Sequence, residues 1–387
     1  MKEDWKYKKL GEVASYINGY PFKPSDWCNQ GMPIIRIQNL TGSQDNYNRC
    51  LREDIPSKYI VKDGDILISW SATLGVYEWT KENALLNQHI FKVVFDKCDI
   101  NKLFFKYAIM SSIEEMSKHT NGATMRHIRK GDFDNIIIPI PSLLEQQKIV
   151  ERLDAAFENI DKLKANAEKQ LAEAKTLFQK SLAKAMEPKE EWKVVKLESL
   201  CTDVVDCPHS TPRKAEHPTQ YPCIRTSELK GGNIEWSSMQ YLEEEEYIVR
   251  TARIKPQCND IVYGREGTYG DAVLLPEGYF FSLGQRTMLF RPNIGKVVPK
   301  FLHYNVISSH VYEQAKAKNS GCGVGHVNVK DIKLFDIGIP KSLAEQQRIV
   351  ERLDALSENI RKYEEIQRQI ISECDALKQA LLRKVFE

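Results

Sequence analysis

No run in the sequence approaches the roughly 18 consecutive apolar residues that cross a bilayer, and the opening Met1-Lys-Glu-Asp-Trp-Lys-Tyr7 has no apolar signal core. Neither a membrane association nor a secretory leader is expected, and a cytoplasmic setting is. Excess charge of one sign is also missing. With 55 basic against 53 acidic residues the net charge is +2, so any nucleic-acid surface has to be a local patch. The nine cysteines are scattered rather than paired, which reads as free thiols in a reducing compartment. Cys201, Cys207, His209, His217 and Cys223 cluster, but their spacings fit none of the usual zinc patterns, so no metal site is expected.

Catalytic signatures are lacking as well. There is no Gly-x-x-x-x-Gly-Lys-Ser/Thr loop to cradle nucleotide phosphates and no Gly-x-Ser-x-Gly nucleophile elbow. Gly264-Arg-Glu-Gly-Thr-Tyr-Gly270 has the wrong spacing for a dinucleotide fingerprint and reads as a tight turn beside a strand. The Asn/Asp-Pro-Pro-aromatic motif of amino-methyltransferases is absent, and Glu191-Trp-Lys193 lacks the upstream Pro-Asp partner of a nuclease motif. A chain without its own catalysis is expected, and with it no catalytic residues, no metal and no cofactor.

What the sequence does contain is itself, twice. Glu145-Gln-Gln-Lys-Ile-Val-Glu-Arg-Leu-Asp-Ala155 returns two hundred residues later as Glu345-Gln-Gln-Arg-Ile-Val-Glu-Arg-Leu-Asp-Ala355 in a chain of 387. Such self-similarity fixes the domain count before any local reading. Upstream, Trp5-Lys-Tyr-Lys-Lys-Leu10 matches Trp192-Lys-Val-Val-Lys-Leu197, and Pro33-Ile-Ile-Arg36 answers Pro222-Cys-Ile-Arg225. Asp65-Ile-Leu-Ile-Ser69 and Gly75 parallel Asp260-Ile-Val-Tyr-Gly264 and Gly270, while Gln88 and His127 fall opposite Gln285 and His326. Two mixed segments, each with a charged helical tail, follow: residues 1–141 and 142–187, then 188–340 and 341–387.

Short β-like runs punctuate the mixed segments at Ile34–Ile37, Ile66–Trp70, Phe91–Phe95, Ile136–Pro139, Asp260–Tyr263 and Thr287–Phe290. Helices are predicted around Lys102–Met116 and Pro299–Ala317, where apolar residues recur at three- and four-residue steps, so each segment is an α+β domain. Ser142-Leu-Leu-Glu145 and Ser342-Leu-Ala-Glu345 are capping boxes that open the tails. An apolar seam runs through Ile149, Leu153, Ala156, Ile160, Leu163, Ala167, Ala174 and Leu177, and again through Ile349, Leu353, Leu356, Ile360, Tyr363, Ile370, Cys374, Leu377 and Leu381. Its 3.5-residue period predicts that the two helices pack as an antiparallel coiled coil with a pseudo-two-fold axis. Pro188 ends the first of them.

Polar residues near turns are the candidates for reading DNA, because Arg pairs with guanine, Asn and Gln with adenine, and hydroxyls reach phosphates. In the first copy these are Arg36, Gln38, Asn39, Ser71, Thr73, Asn87, Gln88, His89, Arg126, His127 and Arg129. In the second they are Arg213, Lys214, Arg225, Thr226, Arg265, Thr268, Tyr269, Gln285, Arg286, His326 and Asn328. Positions shared by both copies, such as Gln88 and Gln285, also fit a scaffold. On the duplicated helix openings, Gln146, Gln147, Glu151, Arg152, Gln346, Gln347, Glu351 and Arg352 are candidates for docking a partner.

With Gly19-Tyr-Pro-Phe-Lys23, Leu86-Asn-Gln-His89 and Asp206-Cys-Pro-His-Ser-Thr-Pro212, the doubled helix openings make the whole chain resemble the specificity subunit of type I restriction-modification systems. The resemblance implies two target-recognition domains, each reading one half of a bipartite, asymmetric site in double-stranded DNA. It further implies helices that set the spacing and dock two modification subunits. Those partners would bring S-adenosylmethionine and methylate adenine, and restriction subunits would add ATP- and Mg-dependent translocation and cleavage. Two other classes remain open on the residues alone: a self-contained nuclease or methyltransferase, and a coiled-coil adaptor that binds protein.

Overall fold

The computed structural model describes residues 4–71, 73–118, 128–267, 269–319 and 325–386. The chain forms two compact units, Met1–Ala167 with Gln369–Glu387, and Glu168–Arg368. Two 44-residue helices, Leu143–Met186 and Leu343–Phe386, pass from one unit to the other, so each unit owns one end of both.

In the first unit the strand Lys6–Lys9 pairs antiparallel with Ile137–Ile140, which brings the start of the chain to the foot of the first long helix. Next comes a four-stranded antiparallel sheet in the order Ser15–Asn18, Ile90–Val94, Ile66–Ser69, Gly75–Glu78. A second sheet is ordered Arg49–Cys50, Met32–Ile35, Ala84–Leu86, Ile60–Val61, with its central pair parallel. The predicted strand at Asp260–Tyr263 is observed as Ile261–Gly264, one residue displaced, and the other strand runs agree to within about two residues.

The second unit repeats this plan. Lys193–Lys196 pairs with Asp336–Ile339, and a four-stranded sheet is ordered Cys201–Asp206, Thr287–Pro292, Ile261–Gly264, Ala272–Leu274. A smaller sheet is ordered Gln240–Tyr241, Pro222–Ile224, Ser282–Leu283, again with its inner pair parallel. The duplication therefore extends from the motif to the strand register.

Each unit also holds a helix that packs on the long pair. In the first it is continuous, Lys102–Lys118. In the second the expected single helix is two, Pro299–Val306 and Ser309–Ala317. The break has a local cause: buried Ser308 takes an extended backbone and donates both its N–H (3.0 Å) and its hydroxyl (2.6 Å) to the Asn305 carbonyl.

Both long helices start on a serine cap, with the Glu145 N–H donating to Ser142 Oγ (3.3 Å) and the Glu345 N–H to Ser342 Oγ (3.2 Å). Within the first unit the helices run antiparallel, tied by Lys164 to Asp375 (2.8 Å) and Lys378 to Asp161 (2.5 Å). Leu153, Phe157 and Ile160 share a core with Cys374, Leu382, Phe386 and the domain's Phe104 and Phe105. Within the second, the Tyr363 hydroxyl donates to Gln170 Oε1 (2.9 Å), and Leu182 and Met186 share a core with Val350, Leu353, Phe301 and Leu302. The long helices are thus part of each domain's core, and burying them is what anchors each domain to its helix ends.

One expectation about the seam needs correcting. Leu163, Leu177, Tyr363 and Leu377 are exposed, while Leu153, Ala167, Ala174, Leu353 and Cys374 are buried. Along Leu153, Ile160, Ala167 and Ala174 one residue per heptad is buried, and the flank that carries Leu163 and Leu177 is not.

Candidate nucleic-acid interface

The two copies build one local frame from different side chains. At the end of the central strand of each four-stranded sheet, the Trp70 N–H donates to the His89 carbonyl (3.2 Å), and at the matching place the Arg265 N–H donates to the Arg286 carbonyl (3.0 Å). The next layer matches too, Ile128 N–H to the Trp70 carbonyl (3.1 Å) and Val327 N–H to the Arg265 carbonyl (3.0 Å). His89 (φ 73°) and Arg286 (φ 67°) both sit in the left-handed region. That conformation is uncommon for residues other than glycine and gathers at functional sites.

On this shared frame the side chains differ. In the first domain the Trp70 indole N–H donates to Asn18 Oδ1 (3.1 Å), and its ring lies against His89 with centroids 5.0 Å apart. In the second, Arg265 Nε donates to Asp206 Oδ1 (3.0 Å), and Arg265 Nη1 also meets Glu266 Oε1 (3.0 Å). Glu266 in turn holds Arg286 Nε (3.4 Å) and lies 3.2 Å from His326 Nδ1. Asn18, Trp70, Asp206 and Glu266 were not among the sequence candidates. The aligned strands that end at Ser69 and Gly264 place Trp70 opposite Arg265, so that pair was open to comparison in the sequence.

Lys214, Arg225, Thr226, Gln285 and Arg286, five of the second-copy candidates, line one recess of about 440 Å³ together with Thr211, Pro212, Ser227 and Gln240. Fully buried Glu228 neutralises Arg225, accepting from its backbone N–H (2.8 Å) and from Nη2 (2.6 Å). Lys214 and Arg286 therefore carry the more exposed cationic groups of the recess, with Arg286 paired at Nε to Glu266 (3.4 Å). Gln285 is committed to the frame, since its Nε2 donates to the His209 carbonyl (2.7 Å). Arg213 is exposed and held at Nε by Glu246 (3.1 Å), and Asn328 immediately precedes the short helix Val329–Lys333, with its Oδ1 3.3 Å from His326 Nε2. Tyr269 falls outside this group, stacked on Tyr312 with centroids 5.7 Å apart.

In the first domain Arg36 lies over the Trp27 ring (5.4 Å) and donates to Gln44 Oε1 (2.6 Å). Gln38 and Thr73 are exposed, and exposed Arg129 precedes the short helix Lys130–Asp134. Gln88 donates its backbone N–H to the Tyr20 carbonyl (2.9 Å) at the turn that carries His89. Arg126, His127 and Thr268 lie outside the described residues.

Several candidates are scaffold instead. Asn39 accepts the Arg36 N–H (3.0 Å) and donates to the Gln44 and Asn46 carbonyls (3.0 and 3.1 Å), so it closes its own loop. Ser71 is buried, as is the Oδ1 of Asn87, and Arg265 is 5% exposed and acts through its neighbours. Cys201, Cys207 and Cys223 are free; burial pushes all three thiols up, that of Cys201 to about 12. Among the described residues no group of three or more His, Cys, Asp or Glu side chains could hold a metal ion.

The duplicated helix openings also divide. Gln146 and Gln346 are each 1% exposed, which corrects their assignment to a docking surface. Gln146 accepts the Asn101 N–H (2.8 Å) and donates to the Pro141 carbonyl (2.9 Å), while Gln346 accepts the Val298 N–H (2.8 Å). Each ties the long helix to the start of its domain's packed helix. Asp154 and Asp354 do the same farther along, accepting from the Tyr107 and Tyr304 hydroxyls. Gln147, Glu151, Arg152, Gln347, Glu351 and Arg352 are exposed. Gln146→Leu leaves a buried N–H and carbonyl without partners and lowers stability by about 2–3 kcal/mol. Gln147→Leu, at an exposed site, stays within about 0.5 kcal/mol. Denaturant unfolding of the two variants checks this, and equal effects would count against the buried role.

Comparison with known proteins agrees with this two-copy plan. A family model described as the type I restriction modification DNA specificity domain matches residues 2–173 and again 189–371. The chain is 24% identical to the EcoBI specificity subunit of Escherichia coli, covering 100% of this chain and 86% of that one. It is 26% identical to the EcoKI specificity subunit of Escherichia coli strain K12, covering 100% and 89%. Among solved structures it is similar in fold to the HsdS subunit from Thermoanaerobacter tengcongensis, with TM-score 0.58, 16% identity and coverage of 100% and 97%. A chain solved for the complex assembly and conformational transition of the type I R-M system gives TM-score 0.72 at 16% identity, covering 100% and 98%. Carrying the specificity domain twice and aligning along its whole length with such subunits, the chain belongs to the family of type I restriction-modification DNA specificity subunits.

Proposed function

We propose that the two domains read the two halves of a bipartite, asymmetric site in double-stranded DNA, and that the long helices set the spacing and dock two modification subunits. One observation carries this reading: the same backbone frame occurs twice, with the His89 turn and the Arg286 turn in register and with different chemistry mounted on each. Two unlike half-sites call for that combination. Phosphate contacts position such a subunit and base-edge contacts specify the sequence, and exposed Lys214, Arg213 and Arg129 suit the first task. Catalysis lies outside this chain: S-adenosylmethionine and adenine methylation belong to the modification subunits, and ATP, Mg and cleavage to the restriction subunits.

Docking of one partner twice is supported by the exposed parts of the repeat. Gln147, Glu151 and Arg152 recur as Gln347, Glu351 and Arg352, and the exposed apolar positions Leu163 and Leu177 recur as Tyr363 and Leu377. The same exposed Gln, Glu and Arg at both openings suit two copies of the same subunit.

Methylome sequencing of cells that carry the chain with its partners tests the whole reading. The wild type should mark one bipartite motif. Shortening the first long helix by one heptad, which preserves the phase of the seam, should change the spacing and leave both half-sites as they were. An altered half-site at unchanged spacing would refute this division of labour.

A further inference from the structure

We infer that Arg286 is a specificity-determining residue that reads a guanine, and that the equivalent turn residue His89 occupies the reading position for the other half-site; this rests on the function proposed above. Arg286 is held at one end and open at the other. Glu266 takes its Nε (3.4 Å), while among the described residues its two terminal nitrogens have no protein partner, and its side chain is 56% exposed at the recess. A planar guanidinium fixed in this way presents two parallel donors, the pattern that matches guanine O6 and N7 in the major groove.

The fixing is deep. Glu266 is pinned by Arg265, which is nearly buried and itself anchored on Asp206 at the edge of the sheet. Asp206, Arg265 and Glu266 are positioning residues that orient Arg286 without reaching the base. Ordering the side chain before binding removes part of the entropic cost of contact and favours one geometry over others.

A phosphate role explains the same residue less well. The DNA backbone is alike in both half-sites, so a phosphate contact has no reason to change between the copies. At this position the backbone conformation is kept, at φ 73° and 67°, while histidine in one copy becomes arginine in the other. The supports change in step: Asn18 with Trp70 in the first domain, Asp206 with Arg265 in the second. The member of the turn that both copies share, Gln88 and Gln285, belongs to the frame, with the Gln285 amide on the His209 carbonyl (2.7 Å).

The test selects duplexes from a randomised library with the full chain assembled with its partner subunits, comparing wild type, Arg286→Gln, Arg286→Lys and Glu266→Gln. Arg286→Gln should lose guanine preference at one base pair by about ten- to a hundredfold, leaving the other half-site and the spacing unchanged. Arg286→Lys keeps the charge but not the paired donors and should lose most of the same preference. Glu266→Gln should weaken it less. A uniform loss of affinity across all sequences, with an unchanged motif, overturns the proposal in favour of a phosphate contact. A change confined to the other half-site, or none at all, overturns it too. The retained first half-site shows that a variant is folded and assembled. Enrichment of no sequence by the wild type would instead overturn the recognition function itself.

Discussion

Replacing Arg250 by methionine should lower the stability of the second domain by about 3–5 kcal/mol, the cost of breaking a buried charged network. Arg250 is 4% exposed and makes contacts that tie three segments together. Its Nε and Nη2 donate to the Leu283 carbonyl (3.1 and 2.8 Å), and Nη1 donates to the Ser210 carbonyl (3.1 Å). Nη2 also reaches the Pro208 carbonyl (3.4 Å), and Glu246 lies 3.9 Å from Nη1. Methionine fills much of the volume but donates nothing, so those carbonyls lose their partner and Glu246 loses a cation. The segments released are the two that flank the recess, Pro208–Lys214 and the turn after Leu283. Calorimetry of the full chain should show the second domain's transition lowered while the first domain's is retained. A loss below about 1 kcal/mol would mean that water replaces the arginine, as at a surface site.

Gly19→Ala should be nearly as damaging to the first domain. A Cβ on Gly19 would lie 1.9 Å from the Asn87 carbonyl oxygen and 2.8 Å from that of Leu86. Both obstacles are backbone, so no side-chain rotation relieves the collision. The crossing is held by the Tyr20 N–H to Leu86 carbonyl (2.8 Å) and the Gln88 N–H to Tyr20 carbonyl (2.9 Å), directly before the left-handed turn at His89. Overpacking there should cost about 3 kcal/mol and displace the turn. Gly64→Ala is the control: its positive φ (77°) carries strain, but nothing lies within 4 Å of the added carbon, so the cost stays near 1 kcal/mol. The predicted signature is a lowered first-domain transition together with loss of the first half-site's sequence preference. Equal effects of the two alanines would show that backbone strain, and not the crossing, governs this turn.

The second domain has a close approach at the same turn, but to a different strand. There the glycine is Gly284, whose Cβ would lie 2.8 Å from the Ile224 carbonyl and 2.3 Å from the Arg225 side chain. Asn87 and Gly284 occupy matching places before the turn and share one backbone bond, Asn87 N–H to the Ile35 carbonyl (3.2 Å) and Gly284 N–H to the Ile224 carbonyl (2.6 Å), but the crowding at Gly284 lies on that strand and not on the counterpart of Gly19.

The sequence alone determined the duplication, the long helices, their serine caps and the central strands of the four-stranded sheets. These rest on local signals, an eleven-residue repeat, a seven-residue apolar period and short β-branched runs, which do not depend on distant parts of the chain. It also marked the polar residues of the recess, as part of a longer set of candidates. Tertiary structure alone decided which of them act together. Asn18, Trp70 and His89 meet because three strands align in one register, as do Asp206, Arg265 and Arg286, and register across a sheet is a long-range property. In the same way, Gln146 and Gln147 are adjacent and identical in sequence. One helical step of about 100° turns the first into the core and leaves the second outside, and the packed helix that begins at Lys102 selects which.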